Sequence, residues 1–315
     1  MSSTNLINFS LRQNKAIERA IAFDCFAALK PILHLDNGVY VGFGSVWFID
    51  FMLAHSILGV ESMISLESDP IVFKRAEFNR PYRTVEVLNG KSSDIIPALL
   101  KRSDLAGRPW IVWLDFDKGI GEDSRDELVD LVRTLPQNSI LAATFNAHAN
   151  TYGAPTHRAG RIRELFAEAA PEEMSLEESK DRDRVMKILA KALDDYLISQ
   201  TIDAGRPGGF VSILRLMYVD RAPMVTVAGV LPSPENENAI RDLVAEPNWE
   251  GHLDEVIAAG PLTSAEVRTL QSMLPSKAPL TRAEVQAAGF DLEDEQLQSY
   301  VSHYLRYPQF AQIAR

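Results

Sequence analysis

The chain has 315 residues, of which 46% are hydrophobic, and its 43 acidic and 32 basic residues give a formal net charge of −11 at pH 7. This composition excludes a wholly disordered chain, and the acidic balance argues against non-specific binding to nucleic acid or anionic membranes. The single cysteine, Cys25, cannot form an internal disulfide. Because residues 1–10 also lack a signal-peptide pattern, we expect a cytoplasmic protein outside the membrane.

A helix is predicted over residues 11–33, where charged positions precede an apolar face and Pro31 closes the segment. We interpret it as a cap helix that packs on the main domain. Residues 39–42 then read as a strand, followed by a glycine turn and a helix over residues 47–58. That helix is apolar almost all round, so we expect it to be well buried.

Strands and helices alternate from this point to residue 145. Further strands are predicted at 63–66, 84–88, 110–114 and 139–145, with helices at 70–78, 94–101 and 124–135. Continuous apolar strands separated by helices predict an α/β fold with a parallel, doubly wound sheet covered on both faces. Carboxylates and amides follow several strands, at the edge where open α/β sheets bind ligands.

The pattern changes beyond residue 149. A helical insertion is predicted at about 155–205, and two strands at 210–218 and 224–231 form an antiparallel terminal hairpin. We therefore place a main domain at 1–231 and a small C-terminal α-helical subdomain at 232–315, with helices at 238–245, 264–273, 281–288 and 293–306. These helices include no basic recognition helix, so we interpret the subdomain as a lid or a surface for a protein partner or a second copy.

One early stretch predicts a ligand site. The first strand leads into Gly42 and Gly44, and the second strand ends at Glu67. Glycines let backbone amides approach a ligand, and a carboxylate at that spacing can accept hydrogen bonds from a ribose. Turn geometry could also explain the glycines, and Glu67 could simply cap the next helix. The pattern therefore indicates a nucleotide-like ligand without defining a reaction.

Further motifs carry a resemblance to a family. The loop Tyr40-x-Gly-x-Gly-Ser45, the segment Asn89-Gly-Lys-Ser-Ser-Asp-Ile-Ile-Pro-Ala-Leu99 and the strand end Trp113-Leu-Asp-Phe-Asp-Lys118 resemble class I S-adenosylmethionine-dependent methyltransferases, most closely small-molecule O-methyltransferases. The resemblance covers residues 11–231. Together with Leu11-Arg-x-x-Lys-x-Ile-Glu-Arg19, the loop is also similar to bacterial methyltransferase-like proteins, some of them from defence-type operons. The resemblance to methyltransferases implies a Rossmann-like fold and the transfer of a methyl group to an oxygen atom of a small-molecule or protein acceptor.

The resemblance also implies roles for individual residues. The expected contacts to S-adenosylmethionine are Tyr40, Gly42, Gly44, Ser45, Glu67, Gly90, Ser92 and Asp115. The glycine loop would approach the methionine part, Glu67 the ribose, Gly90 to Ser92 the adenine, and Asp115 the methyl sulfonium. The candidate catalytic residues are Asp115, Asp117, Lys118 and the loop residue His148. By analogy with metal-dependent O-methyltransferases, Asp115 and Asn146 could also bind a divalent cation.

Several positions depart from the family pattern. Tyr40 stands where an acid usually binds the cofactor's ammonium group, and Val46 replaces a third glycine. Lys91 occupies the place of an adenine-contacting acid, and Phe145 that of a second metal-binding carboxylate. An alternative is therefore a catalytically degenerate methyltransferase fold that acts as a binding or assembly subunit, for example in a bacterial defence-type operon. An open cleft beside Glu67 would favour the enzyme, whereas aromatic side chains filling it would favour the binding subunit.

A nucleic-acid modifier is a third interpretation. It would need a clustered basic face near Arg158, Arg161 and Arg163, which precede and begin the predicted insertion helices. The net charge of the chain makes this class the least favoured of the three.

Overall fold

Seven strands form one sheet in the computed structural model, which describes residues 12–308. The strands are β1 (Val39–Gly42), β2 (Ser62–Glu67), β3 (Val85–Asn89), β4 (Trp110–Asp115), β5 (Ser139–Asn146), β6 (Val211–Val219) and β7 (Pro223–Leu231). Their spatial order is β3-β2-β1-β4-β5-β7-β6. Strands β1 to β5 are parallel, while β7 runs antiparallel to both β5 and β6. The predicted doubly wound, mostly parallel sheet with an antiparallel terminal hairpin is therefore confirmed. The interpretation of residues 1–10, and the first residue of the predicted cap helix, lie outside the described residues.

Helices connect and flank these strands. They are α1 (Gln13–Leu33), α2 (Ile49–Leu53), α3 (Pro70–Phe78), α4 (Ser92–Leu99), α5 (Glu122–Thr134), α6 (Arg158–Phe166), α7 (Leu176–Lys180), α8 (Arg182–Asp203), α9 (Glu237–Val244), α10 (Ser264–Ser272), α11 (Arg282–Ala287) and α12 (Asp294–His303). A π-helical turn, Ala54–Leu58, extends α2. Within residues 12–308, no helix combines the length and apolar content needed to cross a bilayer.

The segment at 47–58 differs from its prediction. The helix starts at Ile49 because Phe48 adopts a left-handed backbone conformation, with φ 50° and ψ 31°. It is also only partly buried, since Trp47 keeps 41% and Ile57 38% of their side-chain surface exposed. The apolar periodicity thus overstated the burial of this element.

Two apolar cores cover the two faces of the sheet. One contains the buried face of α1 and continues into the C-terminal helices through residues such as Leu270, Val285 and Tyr300. The other packs α4, α5 and α8 against the opposite face. Burial on both faces explains why the central strands are apolar along their whole length.

The carboxyl edge of the parallel strands gathers several elements. Asn146 at the end of β5 pairs with Met224 at the start of β7, so the turn between β6 and β7 lies at this same edge. The start of α1 is fixed there, because Asn14 Nδ2 donates to the carbonyl oxygens of Val219 at 2.7 Å and Ala259 at 3.1 Å. The first turns of α1 therefore reach the ends of the strands.

Candidate functional site

The glycine loop after β1 is held by its own backbone. Gly44 N–H donates to Ser65 Oγ on β2 at 3.2 Å, and Phe48 N–H donates to the Gly44 carbonyl at 2.8 Å. A Cβ atom at Gly44 would lie 2.5 Å from the Phe48 ring and 2.6 Å from Ser65 Oγ. The close packing of the loop thus requires glycine at this position. Ser45 has a positive φ of 48°, and its Oγ accepts the Trp47 N–H at 3.2 Å.

Glu67 ends β2 beside this loop. Its Oε1 accepts the Asp69 N–H at 3.0 Å, while Asp69 itself caps α3 by accepting from Ile71 N at 2.8 Å and Val72 N at 3.1 Å. Helix capping is therefore the task of Asp69, not of Glu67. Partial burial raises the pKa of Glu67 above its usual value. A half-buried carboxylate of this kind is suited to accept hydrogen bonds from a ligand.

Gly90 and Ser92 lie further along the same edge. Gly90 has a φ of 155°, and its N–H donates to the Glu67 carbonyl at 3.1 Å. Ser92 begins α4 and is buried. Its side chain bonds Glu127 on α5, so it faces the groove between two helices.

Helix α1 brings two cations to the site. Lys15 forms an ion pair with Asp115 at the end of β4, and Arg19 forms one with Asp50 on α2. Lys15 and Arg19 keep only 3% and 7% of their side-chain surface exposed. Burying a cation is costly unless a carboxylate compensates it, so these pairs fix α1 over the edge of the sheet.

Helix α1 also carries a fully buried carboxyl group, that of Glu18. Its Oε1 accepts a hydrogen bond from Thr226 Oγ1 at 2.6 Å. Thr226 Oγ1 is 2.8 Å from Thr144 Oγ1, which accepts the Trp113 Nε1 proton at 3.0 Å. Burial, only partly offset by Lys15, raises the pKa of Glu18 to about 7. This group therefore exchanges a proton close to neutral pH.

These elements enclose a cavity of about 50 Å³, here called the glycine-loop cavity. Its lining includes Gly44, Ser45, Glu67 and Asp115, which were predicted as site residues, together with Phe43 of the glycine loop. Asp117 lies on it as well. Phe43 packs against Phe116, with ring centroids 6.2 Å apart. The structure thus brings together residues that are up to 98 positions apart in the chain, from Arg19 to Asp117.

Other predicted residues lie away from this cavity lining. Tyr40 is buried in the core beneath the loop, where its ring stands 5.0 Å from that of Phe51. Gly42 ends β1 within the sheet. Lys118 is exposed, and so is His148, whose Nδ1 accepts the Asn150 N–H at 3.3 Å.

Asn146 does not fit a metal ligand in this arrangement. Its Oδ1 accepts the His148 N–H at 2.8 Å, and the Asp115 carboxylate is engaged by Lys15. Between residues 12 and 308, no group of three or more His, Cys, Asp or Glu side chains is placed to hold a metal ion.

The three arginines considered for a nucleic-acid surface are engaged by the protein itself. Arg158 is buried, and its Nε and Nη2 donate to the carbonyls of Ala149 and Gly153, each at 2.9 Å. Arg161 pairs with Glu122 and Glu164, and Arg163 binds backbone carbonyls. Their guanidinium groups hold the insertion together.

Sequence reasoning missed part of the cavity wall. Arg19, Trp47, Ile49 and Asp50 line the cavity, yet none was predicted as a site residue. A signal was present for one of them, because Asp50 is the only carboxylate in the long apolar stretch 38–60. Charges embedded in apolar surroundings usually have partners.

The strand order and the ligand edge define the class of the protein. The sheet has seven strands, and its last two strands are antiparallel. The second strand ends in a carboxylate beside a glycine loop. This combination is typical of a class I methyltransferase. The family profile described as "Putative O-methyltransferase" matches residues 7–315, almost the whole chain. The chain belongs to this family, which confirms the resemblance found in the sequence, and it is a methyltransferase.

Solved structures with a similar fold were also found. The cofactor-bound structure of Rv0187 from MTB has 17% identity and a TM-score of 0.36, and the match covers 70% of this chain and 90% of that one. An O-methyltransferase from Bacillus cereus in complex with SAH has 13% identity and a TM-score of 0.36, covering 69% and 90%. Trm1 from Pyrococcus horikoshii with S-adenosyl-L-methionine has 13% identity and a TM-score of 0.41, covering 71% and 57%. No curated protein matched the sequence.

Proposed function

We propose that the protein uses S-adenosylmethionine to methylate an oxygen atom of a small-molecule or protein acceptor. The observation that carries the proposal is the convergence of Gly44, Ser45, Glu67 and Asp115 on one cavity at the carboxyl edge of the sheet. The family resemblance assigns these same positions to the cofactor. Membership of a family described as O-methyltransferases supports oxygen as the atom that is methylated.

The chemistry of the lining suits this cofactor. Glu67 offers a carboxylate to ribose hydroxyls, and the loop offers backbone amides near Gly44 and Ser45. Asp115 places negative charge where a sulfonium would be stabilised, and Lys15 holds that carboxylate in position. When bound, the cofactor supplies a methyl group on a cationic sulfur.

The volume of the cavity sets a requirement. About 50 Å³ is far less than the roughly 300–1,000 Å³ of pockets that bury a ligand of this size. Binding therefore requires side chains of the wall to move, and Trp47, a large side chain that is 41% exposed, is a candidate for this movement. A larger cavity of about 700 Å³ lies at the same edge of the sheet and is lined in part by Asn14 and Arg221. Its position supports binding of the acceptor on that side of α1.

The reaction needs positioning and one proton transfer. A bond forms between the acceptor oxygen and the methyl carbon while the carbon–sulfur bond breaks, its electron pair stays on sulfur, and the acceptor proton leaves to a base. We infer that Asp117, on the cavity wall, receives this proton, because the Asp115 carboxylate is engaged by Lys15. Lys118 and His148 are exposed, so either would have to turn inwards to receive this proton.

Calorimetric titration with S-adenosylmethionine and S-adenosylhomocysteine tests the proposal. We expect both to bind, with a Kd below about 100 μM, and NAD not to bind, because only the first two match the family site. Glu67→Ala should lower the affinity for S-adenosylhomocysteine by about tenfold or more, since the substitution removes a charge-assisted hydrogen bond. Glu61→Ala, at an exposed position, is the matched control. Absence of binding at millimolar concentration would instead favour the non-catalytic binding subunit.

Cellular location and assembly stay predictions. A single, buried cysteine agrees with a reducing cytoplasm, and a bacterial source is implied only by the resemblance in the sequence. We propose that the C-terminal helices contact a protein partner or a second copy of the chain. Size-exclusion chromatography coupled to light scattering would measure the oligomeric state.

A further inference from the structure

The ion pair between Arg19 and Asp50 is unusual for its location. Both side chains are largely buried, with 7% and 16% of their surface exposed, and both line the glycine-loop cavity. A buried ion pair contributes little net stability, because the desolvation of two charges offsets their attraction. Its position on the wall of a ligand cavity points to a role in binding as well as in fixing α1.

The same wall lacks a group that the family normally has. At position 40 a tyrosine replaces the acid that binds the cofactor's ammonium, and the Tyr40 side chain lies buried in the core. The pKa of Tyr40 is raised mainly by its burial and, next, by the negative charge of Asp50, so Asp50 lies close to this position. A carboxylate is thus present near the end of β1, supplied by α2 instead of by the strand.

We propose that Asp50 and Arg19 together form the subsite for the amino-acid end of S-adenosylmethionine. Asp50 accepts hydrogen bonds from the α-ammonium group, and Arg19 donates to the α-carboxylate. The inference rests on the proposed function and goes further by assigning a role to two residues that the resemblance in the sequence leaves without one.

The charges of the pair match those of the ligand. An α-amino acid carries one cation and one anion on neighbouring atoms, and the Arg19–Asp50 pair presents the opposite charges side by side. A guanidinium has five N–H donors, and the bond to Asp50 is made by Nε, so the N–H groups of Nη1 and Nη2 are further donors from which a ligand carboxylate could accept. Partial burial strengthens both contacts relative to water.

Comparison of two ligands isolates this subsite. S-Adenosylhomocysteine contains the amino-acid end, whereas 5′-methylthioadenosine is the corresponding nucleoside thioether without it. Both are titrated calorimetrically into the full-length protein and its Asp50→Asn and Arg19→Gln variants. Arg268→Gln, which removes an exposed arginine on α10, is the matched control.

We expect the parent protein to bind S-adenosylhomocysteine about 100-fold more tightly than 5′-methylthioadenosine, as two charge-assisted contacts require. Each variant should reduce that ratio by about tenfold or more, with 5′-methylthioadenosine affinity unchanged. Arg268→Gln should keep the parent ratio. If Arg19→Gln unfolds, Arg19→Lys retains the charge without the planar donors and should still lower the ratio.

Three outcomes would overturn the assignment. The parent protein could bind the two ligands equally, which would remove the subsite but leave the proposed function standing. The variants could lose both ligands in parallel, which would mean that Arg19 and Asp50 only maintain the shape of the cavity. If neither ligand binds the parent protein, the proposed function fails and the subsite fails with it.

Discussion

The substitution Glu18→Gln tests whether the buried carboxyl group of Glu18 makes the stability of the protein depend on pH. The side chain of Glu18 is fully buried, and its pKa is raised from 4.5 to about 7. The folded protein therefore keeps this proton at pH values where the unfolded chain has lost it, so stability falls as pH rises from about 4.5 to about 7. At about 1.4 kcal/mol per pKa unit, ionised Glu18 costs about 3 kcal/mol above pH 7.

Glutamine removes this pH-dependent cost. Its side-chain oxygen can still accept from Thr226, while its amide adds a constant term that is the same at all pH values. Unfolding free energies from urea titrations of both proteins at pH 5 and pH 8 give the difference between them at each pH. We expect this difference to shift in favour of the variant by about 2–3 kcal/mol between the two pH values.

The exposed Glu61→Gln serves as the control for general effects of charge removal. A difference between Glu18→Gln and parent that stays constant from pH 5 to pH 8 would refute the reasoning, because Glu18 would then ionise alike in the folded and unfolded states.

Three further predictions concern the edge of the sheet. Asp115→Asn should lower the unfolding free energy by about 2–4 kcal/mol, measured by urea titration, because Lys15 is left buried without its anion. Gly44→Ala should destabilise the protein by about 1–3 kcal/mol through contact with Phe48, whereas Gly160→Ala, which meets no atom within 4 Å, should stabilise it by about 0.5–1 kcal/mol. Addition of EDTA should leave the calorimetric Kd for S-adenosylhomocysteine unchanged, since the Asp115 carboxylate is engaged by Lys15; a clear weakening would instead indicate a metal at the site.

The regular elements of the domain could be read from the sequence because their signals are local. Each strand was a short apolar run bounded by turn residues, and β4 and β5 were predicted to within one residue of their observed ends. The start of α2 could not be predicted, since it depends on the left-handed backbone of Ser45 and Phe48, which are not residues that favour that conformation.

The candidate site was predicted only where it follows the strand ends. Glu67 and Asp115 meet because parallel strands end at one edge, a rule that a sequence carries. Lys15 and Arg19 were read as charges on a cap helix, because their partners Asp115 and Asp50 lie 100 and 31 residues away. Such long-range pairing is decided by tertiary packing. Only Asp50, which lies in the apolar stretch 38–60, indicated from the sequence that a charge would need a partner.

A crystal structure of the protein with S-adenosylhomocysteine would test the central claim most directly. We expect the ribose hydroxyls within hydrogen-bonding distance of Glu67, and the amino-acid end between Arg19 and Asp50, with Trp47 displaced to enlarge the cavity. A ligand bound elsewhere, for example in the larger cavity beside Asn14, would contradict the assignment of the glycine loop as the cofactor site.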